Sequence, residues 1–499
     1  MVNSDDWYSG LAKKTAIVLL CLIVVWGFAM VLFPIKPFWV DEWRLLYNLK
    51  FKSASELWGP LEYTQQFPRV FLQVLKRFTA SFDYSYFSLR LPALVAALGT
   101  VLLGWRLSRR LFDNMYGHLF LLIVVSSQTF TDYLVQIKQY EMEIFLSLVA
   151  MWQLVEICEL NKSRSHPYRY TLLCSSFVVA PFFSYTYPIA AAPIYFIALL
   201  KLLKGKNDLQ NLRIKTVFPL ALGAGSTLLF YVIDVSQLMQ DQAMRQYWSY
   251  RMLDAQHPLQ DMSIKLWGLF AKTGSGFVYE IIFGVLGIAG LAVSIGSLRK
   301  HVNQTKLVLM DYVLQYIVIL IATVVGLFLA GKLPLSEPKF NAFVVPAIAI
   351  MIAHTLQVWR GQQNKKKASR FITAVLFLGL AGNIISTIVN SFTAAEYPTR
   401  MAIYKVTQQT LKKAQQENIP ITVTPRIGYP DDIINVAAHL DVVPPHIVLM
   451  TFPAYEADKK LPVYSADNIE QAKADFYINS SKGAKMYIGD GVSYELVIH

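Results

Sequence analysis

Apolar runs of roughly 20 residues, each long enough to cross a bilayer as a helix, recur along this chain and leave few alternatives to a helical membrane protein. The first occupies about residues 15–33, follows Lys13 and Lys14, and has no comparable basic cluster after it. By the positive-inside bias the N-terminus is cytoplasmic and the run remains as an anchor, since it exceeds a signal-peptide core and no small-residue cleavage site follows. Further runs lie near 89–107, 117–130 and 141–162, with two short crossings between 170 and 203, a stretch broken by Pro181, Pro188 and Pro193. Others lie near 216–233, 278–298 and 307–330, then one ending by Trp359 and one near 371–390. The sum is about eleven crossings, an odd number that leaves the C-terminus outside.

Charge follows the same plan. Only 16% of residues are charged while 55% are hydrophobic, and the net +13 falls in short clusters between apolar runs, such as Arg106/Arg109/Arg110 and Lys365/Lys366/Lys367. That is a topology signal, so nucleic acid is excluded as a partner. Cys21, Cys158 and Cys174 lie in or at the ends of apolar runs without metal-type spacing, so no disulfide framework or zinc site is implied.

Two segments depart from the spanning pattern. Residues 44–87 mix apolar and polar positions in a way that suits helices lying in the membrane interface. From Phe392 onward short strand and helix patterns alternate, and 10 Lys+Arg face 12 Asp+Glu. The expected organisation is a membrane domain over 1–391 and a small soluble extracytoplasmic α/β domain over 392–499.

Ionisable residues are nearly absent from the centres of the spans, where an ion-coupled transporter would need them. They gather on the expected outer face. Asp41 and Glu42, between Trp39 and Trp43, come just past the first membrane exit, where a water-soluble hydroxyl could meet a lipid-borne group. A carboxylate there is able to deprotonate the hydroxyl while cations hold a phosphate leaving group. Asp41 and Glu42 are the candidate catalytic pair, and the pair could also hold Mg²⁺ or Mn²⁺, so that metal use stays open. Lys138 and Lys339 are candidate phosphate contacts, with Tyr140, Glu143, Glu337 and Arg69 as further candidate substrate residues. The plain alternatives are an aromatic belt around interfacial carboxylates, solvated lysine anchors, a turn shaped by Glu337, and an ion pair of Arg69 with Glu42 or Glu62.

Three stretches carry a family resemblance: the acidic pair Asp41-Glu42 in the first outer loop; the block from Gln66-Phe67-Pro68-Arg69 through Leu89-Arg90-Leu91-Pro92 to Arg109-Arg110-Leu111-Phe112; and Lys138-Gln139-Tyr140-Glu141-Met142-Glu143. Together they resemble the membrane-embedded GT-C glycosyltransferases, in particular the dolichyl-phosphate-mannose-protein mannosyltransferase-like and aminoarabinose-transferase-like group. Pro334 to Phe340 is similar to that group's late outer loop, with Lys339-Phe340 in the place of its basic-aromatic pair. Lys138 stands where the group more often has arginine, which exchanges a bidentate phosphate contact for a point charge.

The resemblance implies a GT-C-type membrane glycosyltransferase in a bacterial cytoplasmic membrane, with a polyprenyl-phosphate sugar as donor and Asp41 as catalytic base. The acceptor would be an envelope glycan, lipid or protein on the extracytoplasmic face. A nucleotide-sugar donor does not fit, because no Gly-rich phosphate loop is present and the candidate site faces away from cytoplasmic nucleotides. The rivals are a lipid-linked sugar flippase and a non-catalytic scaffold whose tail binds glycans.

Overall fold

The computed structural model describes residues 4–33, 40–61, 66–159, 167–204, 210–240, 252, 256–274, 277–301, 309–335 and 338–393, and strands at 421–425, 447–449, 476–480, 484–488 and 496–498. The helices are α1 Ser4–Leu32, α2 Val40–Phe51, α3 Arg69–Ala80, α4 Tyr86–Leu111, α5 Asn114–Ser126, α6 Gln128–Tyr133, α7 Tyr140–Glu159 and α8 Pro167–Val179. They continue as α9 Tyr187–Lys204, α10 Gln210–Phe230, α11 Ser236–Gln240, α12 Pro258–Ala271, α13 Phe277–His301, α14 Leu309–Leu329, α15 Val345–Gly361 and α16 Lys366–Thr393. Two compact units result. One comprises Met1–Val31, Phe67–Phe71 and Phe87–Ile388, and the other Leu32–Gln66, Leu72–Tyr86 and Val389–His499.

The first unit is the helical body. Seven helices among the described residues are long and apolar enough to cross a membrane, and Met115–Ser126 and Tyr187–Leu200 are shorter apolar helices. The chain is a multi-pass membrane protein. Within this unit α7 packs on α9 and α14, α5 on α15, α13 on α12 and α15, and α8 on α10. The segment carrying α15 is the most buried of the candidate spans. Its contact with α13 is close, because a side chain at Gly290 would come within 3.2 Å of the Met351 backbone.

Local sequence explains where several helices stop. The run expected as one crossing over 117–130 breaks at Ser127, whose extended backbone ends α5 and whose Oγ accepts from the Phe130 N–H at 3.2 Å to cap α6. After α8 the chain tightens into a 3-10 segment, Ala180–Phe183, that contains Pro181. Ser184 Oγ then accepts from the N–H groups of Thr186 and Tyr187, both at 3.1 Å, and α9 begins. The chain thus divides here into two short helices, at the break that the prolines predict. At the end of α14, Gly331 takes a φ of +64°, and the N–H groups of Gly331 and Lys332 return to the carbonyls of Phe328 and Leu327 at 2.9 and 2.8 Å. Such paired return bonds close a helix on a left-handed glycine.

The second unit contains α2, most of α3, and the strands. Over the stretch expected to lie in the membrane interface, 44–87, the structure has helices: α2 begins at Val40, α3 at Arg69, and α4 already begins at Tyr86. Asp83 and Tyr84 take φ values of 50° and 49°, a left-handed turn after α3 closed by the Tyr84 N–H on the Thr79 carbonyl at 2.9 Å. The strands are β1 Ile421–Pro425, β2 Ile447–Leu449, β3 Phe476–Ser480, β4 Ala484–Ile488 and β5 Leu496–Ile498. They form one sheet in the order β2-β1-β3-β4-β5, with β1 and β2 parallel and the other pairs antiparallel. The helices expected near 400–417, 431–440 and 468–474 lie outside the described residues.

Candidate functional site

In the helical unit, one turn gathers several chain segments. Ser184, Tyr185 and Thr186 connect the 3-10 segment after α8 to α9. The Tyr185 hydroxyl donates to Asp234 Oδ1 at 2.7 Å and lies 3.0 Å from the Phe67 carbonyl oxygen. Asp234 Oδ2 accepts from the Arg69 backbone N–H at 2.6 Å, so the carboxylate holds the first residue of α3. The neighbouring Thr186 hydroxyl lies beside the buried Glu143 carboxylate in the first turn of α7. Rings seal the flank: Phe71 lies 5.0 Å from Phe67 and 5.1 Å from Phe183 between centroids.

Asp234 reaches this position because α10 passes into a π-helical turn, Tyr231–Val235, a geometry that recurs at functional positions. The apolar run read from the sequence ends near 233, yet the chain stays helical through Asp234, which is 2% exposed. Burial, together with the adjacent Asp234 carboxylate, pushes the Tyr185 hydroxyl well above the usual phenol range, so it keeps the proton it donates.

The Arg69 guanidinium itself is 3% exposed, and its Nε and Nη1 have no hydrogen-bond acceptor among the described residues. The Asp234 carboxylate beside it supplies a counter-charge, but the two buried donors left without acceptors carry a cost that an anion arriving from outside would relieve. Glu62, one of the two carboxylates expected to pair with Arg69, lies outside the described residues. In the first turn of α7, two residues before Glu143, Glu141 is fully buried with neither carboxylate oxygen hydrogen-bonded among the described residues.

The other sequence-predicted residues distribute as follows. Lys138 is buried in the turn before α7, and Tyr140 opens that helix with its ring 4.6 Å from Tyr133. Lys339 lies in the 3-10 segment Pro338–Val344, which packs on α6 and α7, with Nζ 5.1 Å from the centroid of Phe340. The fold therefore brings the element carrying Lys339 to the helix that Tyr140 and Glu143 open. Glu337 lies outside the described residues, as does the Asp41 side chain; Asp41 is the second residue of α2 in the other unit. Glu42 is fully buried there. Among the described residues no group of three His, Cys, Asp or Glu is placed to hold a metal ion.

Sequence reasoning missed Tyr185, Thr186 and Asp234. The only signal was the proline-flanked Ser-Tyr-Thr turn, and nothing in it pointed 49 residues ahead to Asp234.

The helical body defines the chain as a membrane protein of GT-C-type fold, the fold that the family resemblance implied. The particular structure it matches over most of its length is ArnT from Cupriavidus metallidurans bound to undecaprenyl phosphate: TM-score 0.51, 11% identity, 89% of this chain and 86% of that one. The archaeal oligosaccharyltransferase AglB from Archaeoglobus fulgidus, in complex with an inhibitory peptide and a dolichol-phosphate, matches at TM-score 0.41 and 14% identity over 75% of this chain and 56% of that chain. No protein-family model matches the sequence. No curated protein matches it either.

Proposed function

We propose that this chain is an integral membrane glycosyltransferase that moves one sugar from a polyprenyl-phosphate carrier to an envelope glycan, lipid or protein on the extracytoplasmic face of a bacterial cytoplasmic membrane. The observation that carries this reading is Arg69: a buried guanidinium with two nitrogens lacking acceptors, at the start of an interfacial helix, in a protein whose fold matches a structure bound to undecaprenyl phosphate. A lipid phosphate is the anion that reaches such a position from the bilayer.

In this reading Arg69, Lys138 and Lys339 hold the phosphate and stabilise it as it leaves, while Tyr140, Glu143 and Glu337 contact the sugar or shape its surroundings. Asp41 takes the proton of the acceptor hydroxyl as that oxygen attacks the anomeric carbon. The bond to the phosphate oxygen breaks, the polyprenyl phosphate keeps the electron pair, and the anomeric configuration inverts. Glu42 supports Asp41. The strand-bearing C-terminal segment, 392–499, recognises the acceptor.

Single-turnover transfer in lipid nanodiscs tests the proposal, with a panel of radiolabelled polyprenyl-phosphate sugars and envelope extract as acceptor. Label should move to acceptor with the parent chain and not with Asp41→Asn. Donor binding without transfer by the parent, across the panel and across extracts, would overturn the enzyme reading in favour of a flippase or scaffold.

A further inference from the structure

The helical unit also has a recess beside the N-terminal part of α1 and the last turn of α4. α1, α4 and α5 enclose a cavity of about 360 Å³. Lys13 of α1 and Arg109 of α4 line it, with His118 of α5 and the rings of Trp105 and Phe112 as walls, and no carboxylate is among its lining residues. The wall is well fixed. His118 meets Trp105 edge-on at 5.1 Å between centroids, and Ser108 Oγ donates to the Trp105 carbonyl at 2.8 Å. Gly117 allows α5 to approach α4 here, since a side chain at that position would come within 3.2 Å of Ser108.

Adjacent arginines on α4 are used differently. Arg110 pairs with Glu156 and Glu159 at 3.0 and 3.5 Å. Arg109 and Lys13 form no ion pair among the described residues. Lys13 begins the first candidate span and Arg109 lies in the last turn of the second, so both cations stand at a membrane boundary. Basic pockets between spanning helices on the cytoplasmic side suit lipid headgroups. The recess is distinct from the Arg69 cluster: that cluster engages Glu143 at the start of α7, whereas the neighbour of Arg109 engages Glu156, about 20 Å further along the same helix.

We propose that this cavity binds the phosphate of an anionic phospholipid in the leaflet on the side of the N-terminus. Lys13 and Arg109 contact the phosphate oxygens, His118 donates a further hydrogen bond, and Trp105 and Phe112 pack on the glycerol and the first acyl carbons. The lipid ties the ends of α1, α4 and α5 together.

The test is native mass spectrometry of the delipidated full chain titrated with phosphatidylglycerol or phosphatidylcholine, with inorganic phosphate as a separate competitor. Phosphatidylglycerol should bind the parent chain more tightly than phosphatidylcholine, and the double variant Lys13→Gln/Arg109→Gln should bind it about 30-fold more weakly. Equal affinity for the two lipids, or an unchanged affinity in the variant, would overturn the proposal. Competition by inorganic phosphate at concentrations equal to those of the lipid would overturn the lipid assignment in favour of a free-phosphate site. A readout that needs no variant is photocrosslinking of the parent chain with a headgroup-proximal diazirine phosphatidylglycerol. Adducts are expected on peptides containing Lys13, Trp105–Phe112 or His118, and adducts only elsewhere would overturn the site.

Discussion

Arginines at the two ends of the helical unit meet opposite fates. At the end expected to face the cytoplasm, Glu156 receives Arg169 at 2.6 Å and Arg110 at 3.0 Å, joining the last turn of α7 to the start of α8 and the end of α4. At the other end Arg69 is buried, two of its guanidinium nitrogens lack acceptors among the described residues, and the nearby Asp234 is occupied by a backbone N–H and by Tyr185. Removing one partner of a buried ion pair costs several kcal/mol because the other charge is left bare. Asp234 supplies a counter-charge to Arg69, yet two of the arginine's buried donors stay unused among the described residues, so under the proposed function the first arrangement reads as a staple and the second as a receptor.

The sharpest separation of chemistry from holding is Asp41→Asn. It should lower single-turnover transfer by about 10²–10⁴-fold while donor binding persists. Next, Arg69→Gln should weaken donor binding by about 30-fold or more in a lipid-binding titration, yet leave thermal unfolding in detergent unchanged or raised, since a costly buried charge disappears. Glu156→Gln should do the reverse, costing about 2–3 kcal/mol of stability with transfer per folded molecule preserved. If the two variants lose stability and donor binding in the same proportion, the contrast between staple and receptor fails.

Smaller effects probe the clamp. Asp234→Asn removes one of two acceptor oxygens and should cost about 1–2 kcal/mol in the same unfolding measurement, with a rise in KM for the donor as Arg69 loses its backbone anchor. The Tyr185 hydroxyl, raised by burial, gives the smallest signal. A group whose folded pKa lies above its unfolded value contributes fully below the unfolded value, about 10 for tyrosine, and is lost only as pH rises through the folded one. Parent and Tyr185→Phe chains should therefore show parallel stability profiles from pH 6 to 9 and converge only in alkali; divergence near neutrality would contradict this.

Much of the architecture was legible beforehand. Runs of apolar residues specify spans whatever surrounds them, because an unpaired backbone in lipid is so costly that helix is the sole open-chain solution. The prolines of 181–193 announced a break, and the structure has one. Serine was harder to read: Ser127 ends α5 through a cap that depends on its own backbone turning extended, and a continuous apolar run hid it.

The site divides in the same way. Lys138, Tyr140 and Lys339 could be nominated because charge and aromatic character at a span end are visible in one dimension. That Lys339 belongs to a segment packed on α7 could not, since it requires residues nearly 200 positions apart to meet. Nor could the exchange at Arg69, where Asp234 takes the backbone N–H rather than the guanidinium. Composition and spacing determined the membrane, the helices and a shortlist of polar residues, each of which follows from local hydrophobicity and charge. Which polar groups satisfy one another, and which guanidinium is left for a ligand, was decided only by tertiary packing, because hydrogen bonds act over about 3 Å and are blind to separation along the chain.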